Sequence, residues 1–296
     1  MKKVVRMLGL CALVALAFTA CKKNDTQKVT FTANVAQPVN DARTHAEYGR
    51  YLVWDDNDAI QIFNHAGNEM DFTAQTSTGL PGNATFTAAT ADEIEFVKDL
   101  ENANFPYTAF YPNATVDENN KVNLVIPAAQ VYVPQLSFAN GLYPMVGWNN
   151  GSTQFDFVSN AGMLNVSFVK LNENETVKVD KIVLTSNNPA DDPNPDLLTG
   201  TMMYDKDGGN YQFVGDGNVV VLTAEDPVEL SYTAATDFTF VLPEGALFSG
   251  FTIEVYLGEE LLETYEAQPN PANVIEAQRY TKMTFVQLPK PPAPTK

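Results

Sequence analysis

The sequence predicts an all-β protein built from antiparallel β-sandwiches. Apolar and polar residues alternate with a period of two in the segments between turns, as in strands that have one buried and one solvated face. Turn-forming residues separate these segments, and the chain has 18 Pro, 17 Gly, 18 Phe and 12 Tyr. One short segment at most could form a helix. Many short strands broken by turns are typical of sandwiches rather than of helical folds.

The first alternating segment is KVTFTANV, residues 28–35, whose four apolar side chains fall on one face. Four further strands are predicted at VNLVIP (122–127), MLNVSFVK (163–170), PVELSYT (227–233) and FTIEVYLG (251–258). In PVELSYT we expect Val228, Leu230 and Tyr232 on one face. Residues 91–102, ADEIEFVKDLEN, are the candidate helix. Turns separate these elements at GLPGN (79–83), NPADDPNPD (188–196), KDGGN (206–210) and GDGN (215–218).

The first 20 residues predict a lipoprotein signal peptide. Three cations precede an apolar run from Met7 to Ala20, which is shorter than the roughly 20 residues that a membrane-spanning helix needs. Cys21 follows directly, and residues 16–21, LAFTAC, resemble a relaxed bacterial lipobox. The only other cysteine, Cys11, lies in the signal, so Cys21 has no disulfide partner in the mature chain. We expect Cys21 to carry the lipid anchor; the alternative is a plain signal peptide with an accidental cysteine.

The mature chain is strongly acidic. Without residues 1–20 it has 276 residues, with 15 cations and 36 acids, for a net charge of −21. Such a surface repels phosphate backbones and argues against a nucleic-acid partner. The length suits two domains, and the polar stretch WNNGSTQ (148–154) is the best boundary between them. We therefore divide the chain into a signal peptide at 1–20, a lipidated polar linker at 21–27, an N-terminal β-sandwich at 28–150, a C-terminal β-sandwich at 151–289 and a Pro-rich tail at 290–296.

Residues that could carry chemistry are sparse. His45 and His65 are the only histidines, and no cysteine lies near either of them, so their spacing does not predict a zinc site. Asp191, Asp192 and Asp196 could hold Ca²⁺, but they lack the alternating ligands and terminal glutamate of a calcium loop, which favours a solvated loop.

The sequence also lacks the motifs of common catalytic sites. It contains no Gly-x-Ser-x-Gly turn and no phosphate-binding glycine loop before a helix. Trp54 and Trp148 could stack on a sugar ring, although both are embedded in strand-like sequence that favours packing. We therefore expect a protein that is not an enzyme, with no catalytic residue, metal or cofactor.

Several motifs follow one another in a familiar order. They are YLVWDDNDAIQIF (51–63) with Trp54 and Asp58, AFYPNATV (109–116) with Tyr111 and Pro112, LVIPAAQ (124–130) with Gln130, TFVLPEG (239–245), FTIEVYLG (251–258) and RYTKMTFVQL (279–288). In this order, and behind a lipobox, they resemble the fimbrillin-like lipoproteins of Bacteroidales, which include the type V pilins. The similarity covers roughly residues 28–288.

This resemblance implies two transthyretin-like antiparallel β-sandwiches in tandem and a lipidated precursor at the outer membrane. In polymerising members, a trypsin-like protease cuts after an arginine and removes the first strand, and a strand of a neighbouring subunit fills the groove. Here KVTFTANV would be the removable strand. Arg43 would be the processing site and Arg50 the second choice, although Arg43 could equally be an ordinary surface arginine. RYTKMTFVQL would be either a donor strand or the last core strand of its own domain.

The sequence therefore supports two hypotheses. The first is a fimbrial subunit or fimbrillin-like lipoprotein on the outer membrane, at the cell surface or in a fimbrium, that supports adhesion. Its partners would be other pilin subunits or further copies of itself through strand exchange, the membrane through its lipid, and a host or bacterial surface ligand. The second is a surface glycan-binding lipoprotein that does not polymerise and uses Trp54, Trp148 or its tyrosines.

Overall fold

The protein is described by a computed structural model. It covers residues 29–35, 39–40, 52, 54, 58–64, 67–76, 83–88, 90–97, 107–112, 114–134, 138–149, 153–187, 196–283 and 286–288. These residues form 21 strands and one helix. In chain order they are β1 (Val29–Val35), β2 (Val39–Asn40), β3 (Ala59–Phe63), β4 (Glu69–Thr76), β5 (Asn83–Ala88), α1 (Ala91–Val97), β6 (Thr108–Tyr111), β7 (Thr115–Val116), β8 (Lys121–Ile126), β9 (Ala129–Val131), β10 (Met145–Trp148), β11 (Gln154–Val158), β12 (Ala161–Lys170), β13 (Lys178–Ser186), β14 (Thr199–Asp205), β15 (Tyr211–Gly217), β16 (Val219–Glu229), β17 (Thr236–Pro243), β18 (Phe251–Leu257), β19 (Glu260–Ala267), β20 (Arg279–Lys282) and β21 (Val286–Leu288). The predicted all-β class is confirmed.

Seven strands close into a barrel in the order β1-β11-β10-β6-β3-β4-β5. The ring closes because β1 pairs with β5 on one side and with β11 on the other. Alternating residues of these strands point inward, for example Ala84, Phe86 and Ala88 of β5, all of which are buried. The barrel interior is therefore packed with side chains.

The described residues form three further sheets. A sheet in the order β17-β12-β20-β2, with β21 also on β12, faces a sheet in the order β19-β18-β13-β16-β9. The second hydrophobic core lies between them and includes Phe168, Phe240, Ile182 and Ile253. The remaining sheet, β15-β14-β8-β7, packs its buried side chains against the barrel, where Tyr204 and Phe110 have ring centroids 5.7 Å apart.

Several pairings cross the boundary that was predicted near residue 150. The barrel takes β11 from beyond it, β8 pairs with β14, β9 pairs with β16, and β2 pairs with β20. The two halves of the chain are thus joined by backbone hydrogen bonds as well as by side-chain packing. The tandem division into two transthyretin-like sandwiches stays a prediction.

The helix α1 is confirmed as a single short element within residues 91–102. Thr90 and Glu93 form a capping box, in which the Thr90 amide donates to Glu93 Oε2 at 2.8 Å and the Glu93 amide donates to Thr90 Oγ1 at 3.2 Å. This reciprocal pair satisfies amide groups that the first turn of a helix leaves without partners. The sequence T-x-x-E therefore fixes where the helix begins.

One predicted strand has different bounds from those expected. PVELSYT was expected to alternate from 227 to 233, but β16 ends at Glu229 and Tyr232 is exposed. The register of β16 on β13 also shifts, because Val228 pairs with Val179 whereas Thr223 pairs with Lys181. Pro227 lies inside this irregular stretch, where its missing amide proton costs no ladder hydrogen bond.

Candidate subunit interface

The first strand lies between two barrel strands that do not otherwise meet. Residues Val29 to Asn34 of β1 pair antiparallel with β5, and Thr32 to Val35 pair in parallel with β11. The Thr32 amide also donates to Thr153 O at 2.8 Å. If β1 left, both neighbours would become open edges with unpaired backbone groups, and the barrel would be open along one side.

The side chains of β1 contribute to the barrel core as well as to its closure. Ala33 has no exposed surface and Val35 is 4% exposed, whereas Thr30 and Thr32 face solvent. Ala33 lies opposite Ala84 on β5 and Phe155 on β11. Removal of β1 would therefore expose a groove floored by apolar side chains that are fully buried in the closed barrel.

The chain continues from β1 to a second short strand in a different sheet. Val39 and Asn40 of β2 pair in parallel with Arg279 and Tyr280 of β20. The predicted processing residues, Arg43 and Arg50, lie outside the described residues, as does the predicted lipid attachment site, Cys21. The next described residues, Leu52 and Trp54, are already buried in the barrel core.

The segment RYTKMTFVQL occupies a core position in its own chain. It forms β20 and β21, and both pair in parallel with β12. Tyr280 and Leu288 are buried, and the Met283 amide donates to Asn165 O at 2.9 Å. Of the two alternatives for this segment, the fold shows the last core strands.

Trp54 and Asp58 of one motif meet Tyr111 of another in the barrel. Trp54 packs edge-on against Tyr111, with ring centroids 5.1 Å apart, and against Phe157 at 5.3 Å. The Tyr111 hydroxyl donates to Asp58 Oδ1 at 2.9 Å and accepts from the Gly141 amide at 2.9 Å. Because Trp54 is 4% exposed, it is part of the scaffold and cannot stack on a sugar at the surface.

Trp148, the other tryptophan of the glycan hypothesis, also has a structural contact. Its indole N–H donates to Asp207 O at 3.1 Å, in the turn between β14 and β15. A Cβ placed on Gly208 would lie 2.4 Å from the indole nitrogen, so the glycine lets the turn approach the ring closely. Trp148 therefore ties the barrel strand β10 to the neighbouring sheet.

Gln130 has a role that its motif alone does not reveal. Its Nε2 donates to Val241 O at 2.8 Å, and its Oε1 accepts from the Val241 amide at 3.0 Å. Gln130 belongs to β9 and Val241 to β17, which are edge strands of the two sheets around the second core. The buried amide thus supplies a hydrogen-bonding partner to one edge and links the two sheets.

Of the residues considered for metal binding, Asp196 lies among the described residues. Asp196 is buried, and its two carboxylate oxygens accept the amides of Leu247 at 2.7 Å and Ser249 at 3.2 Å. Burial raises the pKa of this carboxyl group, whereas the two amides act in the opposite direction. Asp191, Asp192, His45 and His65 lie outside the described residues. Within the described part of the chain, no group of three or more His, Cys, Asp or Glu residues could hold a metal ion.

Among the described residues, no helix has the length and apolar character to cross a bilayer.

The chain resembles known proteins in structure alone. No protein-family model and no curated protein matches the sequence. A candidate cell adhesion protein from Bacteroides ovatus aligns with a TM-score of 0.53 and 13% identity, over 88% of this chain and 92% of that chain. A second, from Bacteroides uniformis, aligns with a TM-score of 0.51 and 14% identity, over 91% of this chain and 95% of that chain. The chain shares their fold.

Proposed function

We propose that this protein is a fimbrial subunit, or a fimbrillin-like surface lipoprotein, that assembles by β-strand exchange and supports adhesion. Lipidation at Cys21 would hold the precursor at the outer membrane. Cleavage after Arg43, or after Arg50, would then free the first strand. The similarity of fold to candidate cell adhesion proteins of Bacteroides supports a structural role at the cell surface.

The observation that carries this proposal is the position of β1. A strand at the N-terminal end of the described chain closes a barrel by pairing with two strands that have no other partner on that side. Its departure would leave two sets of unpaired backbone groups and an apolar groove between them. A strand from another subunit satisfies both, because main-chain hydrogen bonds provide affinity and side-chain pockets provide specificity.

The pairing also defines which segment would leave and how its replacement would run. A cut after Arg43 separates β1 and β2 together from the rest of the chain, since both precede the cut. The incoming strand would run parallel to β11 and antiparallel to β5, as β1 does. A small side chain would be required at the position of Ala33, which lies opposite Ala84.

Limited trypsin digestion of the soluble chain that begins at Lys22 tests this function. We expect an intact core that begins at Thr44 or Tyr51 by mass spectrometry. We also expect this core to form multimers that resist SDS. The matched control is the variant Arg43→Gln/Arg50→Gln, which should keep its first strand and stay monomeric under the same digestion. A core that is cut at Arg43 or Arg50, releases β1 and remains monomeric would refute assembly by strand exchange.

A further inference from the structure

The edge strand β15 is open to pairing with another strand. Among the described residues, the sheet edges away from the barrel are formed by β2, β7, β9, β15, β17, β19 and β21. Four of these have only two or three residues, β17 accepts and donates hydrogen bonds with the side chain of Gln130, and β19 carries Glu260, Glu263 and Glu266. Short length, covered backbone and charge are the usual protections of an edge strand. β15 has seven residues, and its first five, YQFVG, contain no charge and no proline.

The N–H and C=O groups of β15 that do not bond to β14 point away from the sheet. The Asp205 amide donates to Asn210 O, and the pairing then continues in register from Tyr204 opposite Tyr211 to Gly200 opposite Gly215. In an antiparallel pair, backbone groups alternate between the two sides of the strand. Gln212 and Val214 therefore bond to β14, and the N–H and C=O groups of Tyr211, Phe213 and Gly215 face outward.

The side chains along this edge are accessible. Val214 is 44% exposed and Gln212 is also exposed. Val214 continues a row across the outer face of the sheet, because it lies opposite Thr201, which in turn lies opposite Val125. Val125 is 55% exposed. Because Val214, Thr201 and Val125 are all uncharged, the row is an uncharged surface on a chain whose net charge is −18.

We propose that β15 pairs antiparallel with β15 of a second copy of this chain, about a two-fold axis at Phe213. In that register Phe213 lies opposite its own copy, Gln212 lies opposite Val214, and Tyr211 lies opposite Gly215. The glycine leaves room for the tyrosine ring in the cross-strand pair. The outward-facing N–H and C=O groups of Tyr211, Phe213 and Gly215 in one copy form hydrogen bonds with those of the other copy. Neither Gln212 nor Val214 lies opposite a charged residue.

This pairing is distinct from strand exchange, since β15 and β1 belong to different sheets. A contact of a few residues is small compared with the interfaces of permanent dimers, so a weak and reversible association is expected. The two acidic copies repel each other at long range, and salt screens that repulsion. Association should therefore strengthen as salt is raised, whereas a basic partner would bind more weakly.

Sedimentation equilibrium and hydrogen exchange of the soluble chain that begins at Lys22 test the proposal. We expect concentration-dependent dimers and slower exchange of the Tyr211, Phe213 and Gly215 amides in the dimer. The variant Gln212→Lys/Val214→Lys brings like charges together twice across the axis and should weaken dimerisation about tenfold. The variant Gln212→Glu/Val214→Lys places opposite charges there and should restore it.

Two exposed apolar residues outside the sheet of β15 provide a matched control. Val131→Lys/Leu171→Lys adds the same charge at exposed positions away from β15, so it should leave dimerisation intact. Equal weakening by both lysine pairs, or a chain that stays monomeric at all concentrations and salt levels, would overturn the proposal. The result is independent of strand exchange, because none of these substitutions touches β1 or its neighbours.

Discussion

At the scale of single residues, the buried amide of Gln130 joins the β17 edge to β9. A Gln130→Leu substitution removes both hydrogen bonds and leaves the amide and carbonyl of Val241 unpaired in a buried position. Each buried group left without a partner costs about 1–3 kcal/mol. We therefore expect the free energy of unfolding to fall by about 3 kcal/mol, as measured by urea denaturation.

Gln268 supplies the control, because its side chain is exposed. Gln268→Leu should change the stability by less than about 0.5 kcal/mol. Equal stability of the two variants would show that the Gln130 amide contributes nothing to the joining of the edges.

Tyrosine burial predicts a loss of stability at alkaline pH. Burial raises the pKa of Tyr143 to about 12, and its hydroxyl donates to Ala161 O at 3.0 Å. Burial likewise raises the pKa of Tyr211 to about 12. The unfolded chain releases these protons first, near pH 10, so their contribution is complete below pH 10 and is lost as the pH rises to about 12.

Urea denaturation between pH 9 and pH 12 should show this decline, with a smaller slope in Tyr143→Phe. The absorbance of tyrosinate in the folded protein provides a second readout. Ionisation of all 12 tyrosines near pH 10 in the folded chain would contradict the burial of these hydroxyls.

The sequence indicated which residues matter, but it did not indicate which residues they contact. The motifs singled out Trp54, Asp58, Tyr111 and Gln130, and the fold shows that all four are structural. Asp58 and Tyr111 are 53 positions apart, and Gln130 and Val241 are 111 apart. Local periodicity carries no information about pairs at such separations. The embedding of both tryptophans in strand-like sequence did indicate packing, and Trp54 confirms that interpretation.

At the scale of elements, the turn between β14 and β15 depends on a glycine that a side chain would disrupt. Gly208 has φ of +73°, and a Cβ there would lie 2.4 Å from Trp148 Nε1. Gly208→Ala should lower the unfolding free energy by about 2–3 kcal/mol, from a left-handed backbone that costs about 1 kcal/mol and from displacement of the indole. The emission spectrum of Trp148 should shift as well.

Gly258 separates these two causes. Its φ is +60°, but a Cβ there would have no atom within 4 Å. Gly258→Ala should therefore show only the backbone cost, about 1 kcal/mol. If both alanine variants lost the same stability, the close approach of the turn to Trp148 would be energetically unimportant.

The strands themselves followed from alternation wherever the pattern was regular. KVTFTANV, VNLVIP, MLNVSFVK and FTIEVYLG correspond to β1, β8, β12 and β18. The strand predicted at PVELSYT extended beyond the observed end of β16, because alternation cannot report a shift of register. Pro227 was the residue in the sequence that indicated the irregularity. The helix start was encoded locally by Thr90 and Glu93, whose capping box needs no tertiary contact.

At the scale of the whole molecule, the order of strands in the sheets could not be read from the sequence. β1 pairs with β11 more than a hundred residues away, and β8 pairs with β14 across the predicted boundary. Sheet order depends on which edges meet during folding, and alternating strands of similar length are locally interchangeable. The closing position of β1 is therefore a finding of the fold, and it gives the proposed strand exchange its physical basis.

A reversible lock on β1 tests that basis most directly. The Thr32 amide donates to Thr153, so Thr32 and Thr85 form a non-hydrogen-bonded pair on the β5 side, where Cα atoms lie about 4.5 Å apart. This separation suits a disulfide, and the chain that begins at Lys22 has no other cysteine. We would digest Thr32→Cys/Thr85→Cys with trypsin in its oxidised and reduced forms, and follow SDS-resistant multimers on gels. We expect the oxidised form to stay monomeric after the cut and the reduced form to multimerise, with Thr85→Cys alone behaving as the unmodified chain. Multimers that form equally with β1 locked in place would contradict assembly through the groove that β1 fills.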